Sequence, residues 1–136
     1  MENNYFLPAQ IIENNLKAGV TKANLKLYKM ILMGFFAGMF IAIGAEGSNL
    51  AVHTVSNLGL AKTLAGCVFP VGLMMLSLIG AELFTGNCMM ISAVIDGRIK
   101  FIQMLKNWVV VYFSNMLGSV VTAALIYGSG PVSYTH

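Results

Sequence analysis

Charge is scarce in this sequence. Of its 136 residues only 10% are Asp, Glu, Lys or Arg, against about 25% in a soluble globular domain. So few charges cannot clothe a water-facing surface, and lipid must cover much of the protein. The eight basic residues form no cluster interleaved with aromatics, which leaves no case for a nucleic-acid partner. Cysteine is equally sparse. Cys67 and Cys88 both sit inside apolar runs and read as buried free thiols rather than a disulfide. Histidine occurs twice, as His53 in a connection and His136 at the terminus. No nucleophile stands beside a base, and no metal cluster or phosphate loop is visible. These absences argue against an enzyme and against a resident cofactor. No secretory signal peptide is expected, since the first apolar run starts near Met30, too late and too long.

What is present is apolar: 57% hydrophobic residues with 14 Gly and 10 Met. Glycine lets membrane helices approach closely, and methionine fills irregular cores. The first 29 residues are polar to amphipathic. Pro8 suits a first helical turn, Ile11, Ile12 and Leu16 recur at near-helical spacing, and Gly19 is a plausible stop. This predicts an amphipathic surface helix over 8–18. A first span begins at Met30 and continues past Glu46 toward about Thr54, since a bilayer core of ~30 Å needs about 20 helical residues. Gly34 and Gly38 make a small-xxx-small packing pair.

Residues 63–95 carry one ionisable side chain, Glu82. As one helix they would measure ~50 Å, too long for one crossing and too short for two. Thr85, Gly86 and Asn87 are loop formers. The segment is therefore predicted as a broken helix: an arm over 63–82, bent near Pro70 and Gly72, a polar interruption at 82–87, and a short arm over 88–95. A charged connection over 96–106 and a third span over 107–127 follow. Lys17, Lys22, Lys26 and Lys29 precede span one, and Arg98, Lys100 and Lys106 lie between spans two and three. Only Lys62 lies on the other side, which places the N-terminus in the cytoplasm. The expected organisation is a cytoplasmic segment (1–29), a three-span membrane unit (30–128) and an extracytoplasmic tail (129–136).

Non-helical backbone at membrane depth survives only inside protein or beside a water-filled path. A charge at the bilayer centre costs at least ~2.5–3.5 kcal/mol, so Glu82 needs a partner or water. Two readings stay open: Glu82 accepts loop amides and supports the loop, or it meets a permeating species. The second arm should aim its N-terminal N–H groups at the midplane and favour an anion there. Thr85 and Asn87 could add polar contacts, while Leu83 and Phe84 form an apolar constriction. Asn115 with Gly118 reads as a packing pair, with a path-lining role the alternative. Trp108 and Tyr112 read as interface or packing aromatics.

The run Gly80-Ala81-Glu82-Leu83-Phe84-Thr85-Gly86-Asn87 resembles the interrupted second helix of the formate/nitrite transporter family. Asn107-Trp108 with Tyr112, Asn115 and Gly118 resembles its third-helix pattern, and Leu7-Pro8 with Gly19 and Lys22 its cytoplasmic segment. The resemblance runs over about 7–127. It implies an all-α, aquaporin-like fold built of inverted three-span repeats, a homopentamer in the bilayer, and one pore per protomer. It also implies transport of small monovalent anions (formate, nitrite or hydrosulfide, sometimes lactate), passive or proton-linked. The family's cytoplasmic constriction and loop map onto Phe69, Leu73, Leu83, Phe84 and Thr85; the residues themselves add Gly86 and Asn87 to the expected anion-contacting loop and Glu82 and Asn115 as its expected support. A bacterial inner membrane is the expected location. The family has six spans, and its central histidine lies in the second repeat; neither His53 nor His136 matches it. The chain is thus expected to be the N-terminal half of a channel. The alternatives are an aquaporin-like neutral-solute pore, against which the paired Asn-Pro-Ala loops are missing, and a non-transporting oligomeric module.

Overall fold

The computed structural model describes residues 5–130. The terminal tail from Pro131 on, with His136, lies outside the described residues. Among the described residues seven helices follow in order: α1 Pro8–Ala23, α2 Leu27–Val52, α3 Leu58–Val68, α4 Pro70–Leu78, α5 Phe84–Asn87, α6 Met90–Ile95 and α7 Phe101–Gly128. No strand occurs among the described residues. Three stretches are long and apolar enough to cross a membrane: α2, α3 with α4 (Leu58–Leu78), and α7. The protein is a multi-pass α-helical membrane protein whose second span is broken.

α2 is the axis of the unit, and glycine makes it so. A side chain at Gly38 would collide with the Asn115 backbone, and one at Gly118 with Phe35 O. A Cβ on Gly34 would lie 2.8 Å from Ser114 Cβ. These three glycines let α2 and α7 cross backbone to backbone. They run parallel, with Met30 beside Asn107 at one end and Ser119 Oγ donating to Gly38 O higher up. Gly44 meets Gly72 in the same way on α4, which runs antiparallel to α2. Without a hydrophobic drive between helices in lipid, such close packing is what holds them.

Several boundaries differ from expectation. α1 does not stop at Gly19 but runs to Ala23. Gly19 is a packing position, where a Cβ would approach Ala93 Cβ at 2.9 Å. Leu16 lies beside it in a buried cluster with Met90, Ala93, Ile99 and Met104. α2 starts at Leu27 rather than Met30, and the first arm of the broken span starts at Leu58 rather than at 63. There Asn57 Oδ1 caps the helix by accepting from Leu60 N at 3.0 Å. The junction of α3 and α4 falls at Phe69, directly before Pro70; Phe69 itself keeps helical angles (φ −50°, ψ −42°), and the ladder is interrupted because Pro70 has no N–H to donate to the preceding turn. α7 starts at Phe101, two turns before the predicted span. Gln103 Oε1 caps it by accepting from Lys100 N at 2.8 Å. Its first turns are amphipathic and escaped a reading based on apolar length. Cys67 is exposed and Cys88 half-buried, both as free thiols.

Candidate functional site

The break in the second span starts with a glycine. α4 ends in a Schellman motif, with Ala81 N donating to Leu76 O (2.9 Å) and Gly80 N to Ser77 O (3.3 Å). The turn requires the left-handed φ of +67° at Gly80, which glycine adopts without steric cost. The chain then runs extended to Leu83 and re-enters a helix at Phe84. The non-helical stretch is therefore 79–83, not 82–87. Thr85, Gly86 and Asn87 belong to the first turn of the second arm, which begins at Phe84 rather than Cys88.

Asn115 makes the break possible. Its Oδ1 accepts from Phe84 N (2.9 Å), and its Nδ2 donates to Gly34 O (2.7 Å) and Glu82 O (2.9 Å). One side chain thus ties α2 and α7 to the interruption at Glu82 and to the first residue of α5. Glu82 N donates to Met33 O at 3.3 Å. These contacts replace the hydrogen bonds that lipid cannot offer.

Beneath the break lies a buried polar network. Glu82 is 6% exposed, Asn87 0% and Asn107 1%. Lys22, reaching in from α1, donates to Glu82 Oε1 (3.0 Å), Glu82 Oε2 (2.8 Å) and Asn87 Oδ1 (2.7 Å). Asn87 Nδ2 donates to Asn107 Oδ1 (2.7 Å), and Asn107 Nδ2 returns to Lys22 O (3.2 Å). Trp108 Nε1 donates to Asn87 O (2.9 Å). Among the described residues no buried side-chain polar atom lacks a partner. The Glu82 carboxylate is held by a cation from another helix rather than by loop amides.

Leu83, Phe84 and Thr85 open with Tyr112, Asn115 and Met116 onto one concavity of about 250 Å³. The Phe84 ring is pinned edge-on between Tyr112 (5.4 Å) and Trp108 (6.0 Å). Thr85 and Gly86 are exposed, and among the described residues their amides have no intramolecular acceptor. Asn87 points away, with its side chain wholly engaged by Lys22 and Asn107. Phe69 and Leu73 are exposed at 44% and 49%, one helical turn apart, and do not line this concavity.

Outside the spans, Arg98 ties α1 to the 96–100 connection. It holds Glu13 through two bonds of 2.9 and 2.7 Å and Asp96 at 2.6 Å. The Arg98 hydrogen bonds keep the Glu13 carboxyl below its ordinary value, and Glu13 and Asp96 raise Arg98.

Sequence reasoning assigns no place in the site to Lys22, which enters it as a basic residue ahead of span one and in the resemblance of the cytoplasmic segment, nor to Asn107, which enters it only in the third-helix pattern. The clue was Glu82 itself: a buried carboxylate demands a cation. Lys22 follows Leu16 and Gly19 at three-residue spacing, on the α1 face that packs inward.

An interrupted helix, capped and charge-paired inside a three-span bundle, is an architecture of membrane transport proteins. The profile of the formate/nitrite transporter family matches residues 9–135, and the chain belongs to that family. It is 39% identical over 122 residues to the formate channel BtFdhC of Bacillus thuringiensis, covering 85% of this chain and 46% of that protein. It is 37% identical over 107 residues to a probable formate transporter of Methanothermobacter thermautotrophicus (75% and 39%). To the formate channel FocA of Escherichia coli K12 it is 34% identical over 126 residues (91% and 44%). The chain spans less than half the length of these relatives.

Proposed function

We propose that this chain forms one wall of a transmembrane pore for small monovalent anions, with formate the first candidate and nitrite or hydrosulfide next. The observation that carries this reading is the start of α5. There a helix begins at two exposed residues, Thr85 and Gly86, whose amides have no acceptor among the described residues, beside the apolar side chains of Leu83 and Phe84. A module that only packs would need no such break, and α4 and α5 would form one helix. The relatives named as formate channels support the choice of substrate.

In this reading Thr85 and Gly86 meet the anion. Leu83 and Phe84, with Phe69 and Leu73 above, form a constriction that hydrated ions cannot pass. A weak-acid anion then crosses nearly dehydrated or with a proton, completing the path against a second, inverted repeat. Glu82 and Asn115 hold the loop, and Asn87 supports it through Lys22 and Asn107 rather than by touching the anion. The protein acts as a transporter rather than an enzyme and assembles as a homopentamer. It sits in a bacterial inner membrane with α1 on the cytoplasmic side and the C-terminal end of α7 opposite.

Flux into liposomes holding the full-length protein tests this. Formate, nitrite or hydrosulfide should permeate above the rate of empty liposomes, and Leu83→Ala and Leu73→Ala should change flux or selectivity more than Leu125→Ala, which is remote from the break. Permeation no faster than in empty liposomes for all three anions would overturn the proposal.

A further inference from the structure

On the side of the α2/α7 pair turned away from the break lies a second, different groove. Leu27 and Ile31 of α2 and Val109, Val110, Phe113 and Leu117 of α7 line it, enclosing about 360 Å³. Its walls are almost wholly apolar, and five of these six side chains are between 44% and 56% exposed. Apolar exposure alone names no occupant in a membrane protein. The charge at one end of the groove does.

α2 and α7 run parallel, so their N-terminal ends lie at the same membrane level. Lys106 is the last charged residue before the apolar run of α7, and Lys29 the last before that of α2. Lys106 precedes Val109, Val110 and Phe113 by three, four and seven residues, which puts it on the stripe that lines the groove. Lys26 directly precedes Leu27. Both lysines are exposed, and neither forms an ion pair among the described residues. The described acidic groups at this end are already matched: Glu82 to Lys22, and Glu13 and Asp96 to Arg98. An apolar slot thus runs into the bilayer with Lys106 on its α7 stripe and Lys26, the N-cap residue of α2, at the same level, both unmatched among the described residues. Lysine stems reach along apolar surface and leave the ammonium at the interface.

We infer that this groove is a binding site for an anionic phospholipid, with one acyl chain lying between α2 and α7 and the headgroup phosphate held by Lys26 and Lys106. Lys29 provides an internal control. It is at the same level but about 200° round α2 from Leu27, on the other side of the helix.

The test is native mass spectrometry of the full-length protein released from nanodiscs of phosphatidylcholine mixed with phosphatidylglycerol. Phosphatidylglycerol should be retained preferentially. Lys26→Ala and Lys106→Ala should each lower its retention about fivefold, the factor matching about 1 kcal/mol for a basic residue at an anionic lipid surface. Lys29→Ala should change it by less than twofold. Val110→Trp fills the slot without touching a charge and should also lower retention, which separates a site from a basic surface. Equal retention of the two lipids would overturn the inference. So would an equal loss with Lys29→Ala, which means unspecific attraction. Efficient cross-linking of Phe113→Cys to a second copy would do so too, since protein rather than lipid would then cover the groove.

Discussion

Lys22 Nζ lies 2.8 Å from Glu82 Oε2, and that ion pair joins the amphipathic first helix to the break in the second span. The Lys22 side chain is 27% exposed and that of Glu82 7%. Two elements sixty residues apart in sequence are therefore electrostatically one unit. α1 is part of the site and not an appended arm.

Removing one partner should cost far more than removing both. Glu82→Gln keeps shape but leaves Lys22 without its counter-charge; Lys22→Met strands the carboxylate. Each should destabilise by about 3–5 kcal/mol, while the double variant Lys22→Met/Glu82→Gln should lose less than their sum. Thermal unfolding of the detergent-solubilised protein measures the cycle. Additive losses would show that the two groups act independently.

Glycine substitutions should divide by what faces them. Gly38→Ala forces α2 away from the Asn115 backbone and should destabilise by about 1–3 kcal/mol. Gly66 in α3 has nothing within 4 Å of an added Cβ, and Gly66→Ala should be neutral or stabilise by up to about 1 kcal/mol. The pair, compared by thermal unfolding, distinguishes a required close approach from a composition bias. Equal effects would remove the α2/α7 crossing as the explanation.

The Glu13–Arg98 link carries a pH dependence whose sign is set by the carboxyl. The Glu13 value in the folded protein lies below the ordinary 4.5, chiefly through the hydrogen bonds from Arg98. Its contribution is complete above that ordinary value and is lost as pH falls through the lowered one. Hydrogen exchange in α1 should therefore show unchanged protection, after correction for intrinsic rates, from neutral pH down to about 5. Protection should fall only once pH drops below that ordinary value. Glu13→Gln should abolish this step. A step of the same size in the variant would assign it to another group.

The three spans, the interruption and the family were legible because each rests on local pattern. Residues 63–95 are too long for one crossing, and Thr85, Gly86 and Asn87 advertise a break. The position of that break was read a few residues late. Side-chain polarity drew attention to Thr85, Gly86 and Asn87, whereas the backbone departs from helix where Gly80 can take a positive φ. Gly19 was misread for a related reason. A glycine followed by polar residues looks like a helix end, but here its bareness admits Ala93 of a helix more than seventy residues away.

The sequence by itself determined that lipid covers much of this chain, that three of its stretches are long and apolar enough to cross a membrane, and that the second is broken, since charge content, apolar length and glycine placement are properties of the chain alone. Only the tertiary structure decided what stabilises the break. Lys22, Asn107 and Asn115 come from helices distant in sequence, and their value lies in satisfying one carboxylate and a few backbone groups where water is excluded. A polar residue on a helix carries no mark of which distant group it will face. That is settled when Gly38 and Gly118 let α2 and α7 meet and bring Asn115 against Phe84.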